Sequence, residues 1–138
     1  MYYKKLSLKL MKKLDLKRTV LFLVFCLGLR SLLVFFAITL RKDKRIKILS
    51  GITLIPALGF LYLHFTDGRK NAGEAGGVTW WDKVRIIHGF LYLAFSICSF
   101  IGIEEAWIFL AVDVILGFLF FLMYRILNIN FLNLFVTT

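Results

Sequence analysis

The sequence predicts an all-α polytopic membrane protein, with four transmembrane helices in an antiparallel bundle behind a basic amphipathic N-terminal helix. Three observations predict this class. Hydrophobic residues make up 60% of the 138 residues, whereas a soluble domain is closer to half apolar. They are gathered in four runs, each long enough to cross a hydrocarbon core of about 30 Å. The 18 Lys and Arg residues lie almost entirely at or beyond the ends of these runs.

The first 18 residues are too polar to cross the bilayer and predict a basic helix on the membrane surface. Leu6, Leu10 and Leu14 recur at every fourth position, which gives a helix one apolar face. Other faces carry the side chains that we expect to bind anionic lipid head groups, which are Lys4, Lys5, Lys9, Lys12 and Lys13. The alternative is a solvated basic tail.

The remainder is predicted to form one transmembrane domain followed by an interfacial tail at 128–138. Short turns make consecutive helices antiparallel neighbours, and the four helices are placed at 19–40, 46–66, 80–103 and 106–127. The run Thr79-Trp80-Trp81-Asp82 has the pattern of a capping box at the start of the third helix. Trp80 and Trp81 are predicted to be anchors at the membrane interface, where Trp is enriched.

The distribution of Lys and Arg predicts that both termini face the cytoplasm. Twelve of these residues then lie on that side, and five, from Arg41 to Lys47, lie on the other. The basic loop at 41–47 conflicts with the rule that cytoplasmic loops are the positive ones. Two explanations are open: the loop binds anionic head groups, or the first two helices form a hairpin that does not fully cross.

Arg30 and Asp113 are predicted to form an ion pair inside the bilayer. An unpaired charge at that depth costs roughly 3 kcal/mol or more. Both residues lie about 10–15 Å from the same membrane face at 1.5 Å per residue, and a carboxylate can accept two parallel hydrogen bonds from a guanidinium. Ser96 and Ser99 are expected to back the pair at similar depth. The pair has a structural role or a transport role, unless the two residues do not meet.

A polar stripe follows one face of the third predicted helix. The spacings of three, four, four and three residues place its members on one side of a helix, and they are Arg85, His88, Tyr92, Ser96 and Ser99. Lipid cannot satisfy polar groups, so the stripe should face other helices or water. It either holds helices together or lines a substrate path.

A second polar cluster is predicted on the opposite membrane face, near the central loop. Its members come from three segments and are His64, Glu74, Arg85 and His88. Two histidines and a carboxylate suit metal binding or acid–base chemistry, but their spacing matches no zinc motif. We therefore expect no metal, no cofactor and no enzymatic activity. Cys26 and Cys98 lie in apolar runs and predict no disulfide framework.

Three segments of the chain resemble a family of small four-helix membrane proteins from large double-stranded DNA viruses of eukaryotes and from related uncultured viral genomes. The resemblance covers about 24–121 and rests on Cys26-x-x-x-Arg30, Asp113-x-x-x-Gly117 and Arg69-x-x-x-x-Glu74-x-Gly76-Gly77-x-x-Trp80-Trp81-x-x-x-Arg85-x-x-His88-x-x-x-Tyr92. It implies a viral or virus-derived membrane and no catalytic mechanism. The basic N-terminus lies outside the shared pattern.

Two classes of function remain. The first is a structural or scaffolding integral membrane protein, whose Arg30–Asp113 pair fixes helix packing. The second is a small transporter, channel or proton-conducting protein that uses the polar stripe. The expected partners are the bilayer and its anionic head groups, a second copy of the chain, or other capsid and membrane proteins. Nucleic acid is not expected, because the net charge of +10 describes the membrane flanks.

Overall fold

The structure is helical almost throughout. The computed structural model describes residues 2–68, 71–72, 77–78 and 82–126. Within these residues there are five α-helices: α1 (Tyr2–Leu21), α2 (Gly28–Leu40), α3 (Ile46–Phe65), α4 (Arg85–Phe100) and α5 (Trp107–Ile126). An antiparallel pair of two-residue strands, β1 (Asn71–Ala72) and β2 (Gly77–Val78), lies in the segment between α3 and α4.

In the part of the chain that the structure describes, three helical stretches are long and apolar enough to cross a membrane. They are Thr19–Leu40, Ile46–Phe65 and Glu104–Tyr124. In the most apolar part of each stretch, no more than 28% is buried inside the protein. Large apolar side chains cover their outer faces, among them Phe25, Ile55 and Ile115. Such faces suit contact with lipid, so the helical multi-pass class is confirmed by length and composition.

The first spanning stretch is continuous with the basic N-terminal helix. A π-helical segment, Phe22–Leu27, joins α1 to α2, and Leu21, Leu27 and Gly28 all have right-handed helical torsions. The predicted boundary at Thr19 is therefore not a break in the backbone, because no Pro or Gly interrupts the chain before Gly28. Lys4, Lys5 and Lys9 are exposed; the side chains of Lys12 and Lys13 lie outside the described part, and surface binding stays a prediction.

Helices α3 and α4 pack as a close antiparallel hairpin through small and hydroxyl side chains. Ala57 and Thr53 on α3 are completely buried. Gly89 on α4 lies so close to α3 that a Cβ atom there would come within 2.9 Å of the Leu61 side chain. Small residues at such contacts let membrane helices approach each other, which increases dispersion contacts where lipid removes the hydrophobic driving force.

The turn between α4 and α5 forms earlier than the sequence predicts. Helix α4 stops at Phe100, and Gly102 has a φ of +95°. The Gly102 N–H donates to the Ser99 carbonyl at 3.2 Å, and the Ile103 N–H donates to the Cys98 carbonyl at 2.9 Å. These two bonds form a Schellman motif. The predicted end of the helix at Ile103 is therefore wrong, because a positive φ ends the helix at Gly102.

The start of α4 also differs from the predicted start at Trp80. A short 3₁₀ segment, Asp82–Val84, precedes the α-helix, which begins at Arg85. Thr79, Trp80 and Trp81, and with them the predicted cap and anchors, lie outside the described residues, as does the tail at 128–138.

The basic turn between α2 and α3 forms one ion pair within itself and another with the α4–α5 connection. Arg45 donates from Nη2 and Nε to one oxygen of Asp43, at 2.8 and 3.0 Å. These hydrogen bonds hold the pKa of the exposed Asp43 carboxyl below its usual value. Nζ of Lys42 lies 3.8 Å from Oε2 of Glu104. Glu104 begins the 3₁₀ turn in the connection between α4 and α5. Both turns therefore lie at the same end of the helices. Among the described residues, two of the five cations from Arg41 to Lys47 have acidic partners.

Candidate functional site

Arg30 and Asp113 meet inside the helical domain. Arg30, in α2, donates from Nη1 to both oxygens of Asp113 in α5, at 3.1 Å from Oδ2 and 3.3 Å from Oδ1. The predicted contact is present, but its geometry differs from the expected fork of two parallel bonds. A single guanidinium nitrogen serves both carboxylate oxygens, so the carboxylate can accept a further donor.

That further donor is His88, which α4 supplies. Its Nδ1 contacts Oδ1 of Asp113 and lies 3.1 Å from Nη1 of Arg30. A neutral imidazole protonated at Nδ1 donates this hydrogen to the carboxylate. Because Arg30 has only donors, its contact with a protonated Nδ1 is then an approach without a hydrogen bond. Arg30, His88 and Asp113 form what we term the charged cluster, which joins three helices.

The charged cluster is closed around the carboxylate. The side chain of Asp113 is 1% exposed, that of His88 7% and that of Arg30 17%. Every buried side-chain nitrogen or oxygen in the described part of the chain has a hydrogen-bond partner. A buried carboxylate needs such partners to offset the loss of its hydration. Asp113 is thus the dry centre of the cluster, and Arg30 is its more open edge.

Aromatic side chains form the walls of the charged cluster. The guanidinium of Arg30 lies 5.6 Å from the centre of the Phe60 ring, within cation–π range. His88 meets Phe120 edge to face, with the ring centres 6.2 Å apart. Tyr92 packs on Phe60, with the ring centres 6.1 Å apart. These rings exclude water from the charges and so strengthen the interactions among them.

Because Gly117 has no side chain, it leaves room for the side chains of the charged cluster. It follows Asp113 by one helical turn and is buried on the same face of α5. A Cβ atom at this position would lie 3.4 Å from Nη1 of Arg30 and 3.8 Å from Cε1 of His88. A larger side chain would push the guanidinium away from the carboxylate.

The register of the α4–α5 hairpin decides which α4 residue meets Asp113. His88 precedes Gly102 by fourteen residues, and Asp113 follows it by eleven, so antiparallel helices bring them to about the same depth. The prediction that Ser96 and Ser99 back the ion pair is wrong. The predicted depth depends on a helix that continues to Ile103, whereas α4 ends at Phe100 and both serines contact α3.

The two serines bind α3 instead. Ser99 Oγ lies 2.5 Å from Ser50 Oγ, and Ser96 Oγ lies 2.9 Å from Thr53 Oγ1. The sequence carries a signal for this contact in α3. Ser50, Thr53 and Ala57 are small residues spaced three and four apart on one face of an apolar helix, which is the pattern of a close helix contact.

The prediction that His88 belongs to the loop-side cluster is wrong. His88 belongs to the charged cluster. Arg85 donates from Nη1 to the Gly68 carbonyl at 2.6 Å, and the ring of His64 packs against Phe65. Glu74 lies outside the residues that the structure describes. Within the described ranges, no group of three or more His, Cys, Asp and Glu side chains is placed to hold a metal ion.

The fold and the charged cluster together define a class, a multi-pass α-helical membrane protein with a buried Arg–His–Asp contact between its helices. No family model, no curated protein and no solved structure matches the chain. Function must therefore be inferred from the geometry of the molecule.

Proposed function

We propose that the chain is a structural integral membrane protein that crosses the bilayer four times and whose charged cluster fixes the packing of α2, α4 and α5. One observation carries the proposal: the Asp113 carboxylate is 1% exposed, with both oxygens engaged by neighbouring helices. A transport site needs access to water, whereas a packing contact needs to exclude it.

The length and connections of α4 support a fourth span. Its 16 residues give roughly 24 Å, and the 3₁₀ turn before it adds about 6 Å, which together reach the ~30 Å of the hydrocarbon core. Only 101–103 separate α4 from the 3₁₀ turn that begins the spanning stretch Glu104–Tyr124. A helix joined antiparallel to a spanning helix by so short a turn must run back through the same layer.

Polar contacts are suited to fixing the arrangement of helices in lipid. Apolar side chains gain little by leaving lipid for another apolar helix, so packing and hydrogen bonds select the partners. The charged cluster joins α2, α4 and α5, and the serine and threonine contacts join α4 to α3. Every helix from α2 to α5 is thereby held by at least one polar contact. A buried ion pair of this kind specifies an arrangement more than it adds net stability.

The proposal is tested by replacing the two charges separately and together. Arg30→Leu or Asp113→Leu alone should lower the free energy of unfolding by roughly 3–5 kcal/mol, because each leaves a buried charge without its partner. The double replacement should recover much of that loss. The measurement is reversible unfolding in lipid bicelles. Thr39→Leu is the control, because Thr39 is exposed on α2, the helix that carries Arg30. A double variant as unstable as the sum of the single variants would contradict the proposal.

A proton-conducting or small transport function is the second candidate, and the presence of His88 in the cluster favours it. Imidazole and carboxylate in contact can exchange a proton, and chains of such groups serve as relays in membrane proteins. The test is proton flux into liposomes that contain the purified protein. Flux in the natural protein that disappears in a folded Arg30→Leu/Asp113→Leu variant would establish this function over the structural one.

The viral setting is proposed from the sequence resemblance, and the orientation of the termini from the distribution of Lys and Arg. This setting is a viral or virus-remodelled membrane, with both termini on the cytoplasmic side or in the virion interior. A second copy of the chain or other capsid and membrane proteins are the proposed partners there. Crosslinking of the protein in its native membrane, followed by identification of the crosslinked neighbours, tests this setting.

A further inference from the structure

We propose that a groove between α3 and α4 binds one anionic phospholipid, with an acyl chain in the groove and the phosphate on Lys47. The groove encloses about 300 Å³ at the end of the hairpin nearest the basic turn, and its lining includes Lys47, Gly51, Leu54, Ile97, Phe100 and Ile101. None of these residues belongs to the charged cluster. The proposal therefore stands or falls independently of the proposed structural function.

The shape of the groove suits a hydrocarbon chain. On α3, Lys47, Gly51 and Leu54 are four and three residues apart, so they follow one face for roughly 10 Å. Gly51 keeps the groove open, since a Cβ atom there would meet nothing within 4 Å. A volume of 300 Å³ lies at the lower end of small-ligand sites, which span about 300–1,000 Å³.

The floor of the groove is apolar in effect, although two of its residues are serines. The hydroxyl of Ser50 bonds to Ser99 and to the Ile46 carbonyl, and that of Ser96 bonds to Thr53. These groups are engaged within the hairpin, so an acyl chain can lie against them without leaving a hydrogen bond unmade.

The charge at the mouth of the groove selects an anionic head group. The ammonium of Lys47 lies 5.2 Å from the centre of the Phe100 ring, at the end of the groove. Arg45 is paired with Asp43 and Lys42 with Glu104. Lys47, by contrast, has no carboxylate within ion-pair distance among the described residues, so its charge is available to a phosphate. Lysine is a common point-charge ligand of phosphate.

A lipid fits this groove better than a second copy of the chain. A helix from another copy would contact α3 along most of its length, whereas the groove is only about two turns long. A symmetric contact at this end would also bring the two basic turns towards each other. A phospholipid instead places its negative charge against the positive one.

The experiment is native mass spectrometry of the purified full-length protein, released from detergent after incubation with equal amounts of phosphatidylglycerol and phosphatidylcholine of the same chain length. The natural protein should retain one phosphatidylglycerol with about fivefold preference, the equivalent of the ~1 kcal/mol that one Lys contributes near an anionic surface. Lys47→Gln should abolish the preference. Gly51→Leu, which fills the groove, should reduce retention of both lipids at least tenfold.

Gly59→Leu is the matched control. Gly59 is exposed on the same helix, with nothing within 4 Å of a Cβ atom, and it is not among the lining residues. This variant should retain lipid as the natural protein does. Ile97→Trp fills the groove from α4 and gives a second blocking variant if Gly51→Leu does not fold. Equal lipid retention by a folded blocking variant and the control would overturn the proposal. So would a blocking variant that loses only a dimer peak, because the groove would then be a contact between copies.

Discussion

Asp113 lies at the centre of the cluster, where two neighbouring helices supply its partners. Its contact with Arg30 was predictable from the sequence, because two opposite charges in apolar helices each need a partner. The third member, His88, was not predictable by the same reasoning. The imidazole lies near the start of a helix, where the nearby loop is an equally plausible neighbour. Only the observed register of α4 against α5 places it beside the carboxylate.

Two replacements of His88 separate the stability contributed by its hydrogen bond from that contributed by the packing of its ring. His88→Leu removes the donor to Asp113 and should lower the free energy of unfolding by about 1.5–3 kcal/mol, the usual value of a hydrogen bond to a charged group. His88→Asn keeps an N–H close to the position of Nδ1 and should lose clearly less. Reversible unfolding in bicelles measures both. Equal losses in the two variants would mean that packing of the ring, and not donation to Asp113, is what His88 contributes.

The helices show which features of an element the sequence determines. Long apolar runs predict the spanning stretches well: the fourth predicted helix, 106–127, begins within one residue of the start of α5, which the structure describes from Trp107 to Ile126. The ends of α4 were predicted poorly. Its C-terminus depends on one glycine with a positive φ, and apolar residues continue past that point as far as Ile103. Hydropathy cannot detect a change of backbone conformation that leaves composition unchanged.

Gly102→Ala tests the turn that ends α4. The left-handed conformation costs a residue with a Cβ atom roughly 1–2 kcal/mol, so this variant should unfold more easily by about that amount. There is no steric contribution, because nothing lies within 4 Å of the added atom. Gly59→Ala is the control, since Gly59 has the same open surroundings within a regular helix and its replacement should be neutral or stabilising. Equal effects of the two replacements would contradict the assigned role of Gly102.

Across the whole molecule, two turns meet at one end of the helices. The turn at 41–45 and the connection that contains Glu104 are linked by the contact of Lys42 with Glu104. The pairings of Lys42 and Arg45 with acidic residues reduce the positive charge that had conflicted with the predicted orientation. The three spanning stretches were predictable from apolar runs, but this local neutralisation depends on which turns become neighbours.

Cysteine labelling tests the arrangement of the two turns across the membrane. In a background with Cys26→Ala and Cys98→Ala, single cysteines in place of Lys44 and Glu105 should react with an impermeant maleimide from the same side of sealed vesicles. A cysteine in place of Lys4 should react from the opposite side, because one spanning stretch separates it from Lys44. Labelling of positions 44 and 105 from opposite sides would exclude the four-span arrangement.

The distance along the chain between the partners of the charged cluster has a consequence for biogenesis. Arg30 and Asp113 are 83 residues apart, and a ribosome that adds about 5–20 residues per second needs roughly 4–17 s to synthesise that length. Throughout this interval the first helix enters the membrane with a charge whose counter-ion has not yet been made. Insertion of the first helix is therefore provisional until the last helix arrives, and a nascent chain that stalls before Asp113 presents cellular quality control with an unpaired arginine in lipid.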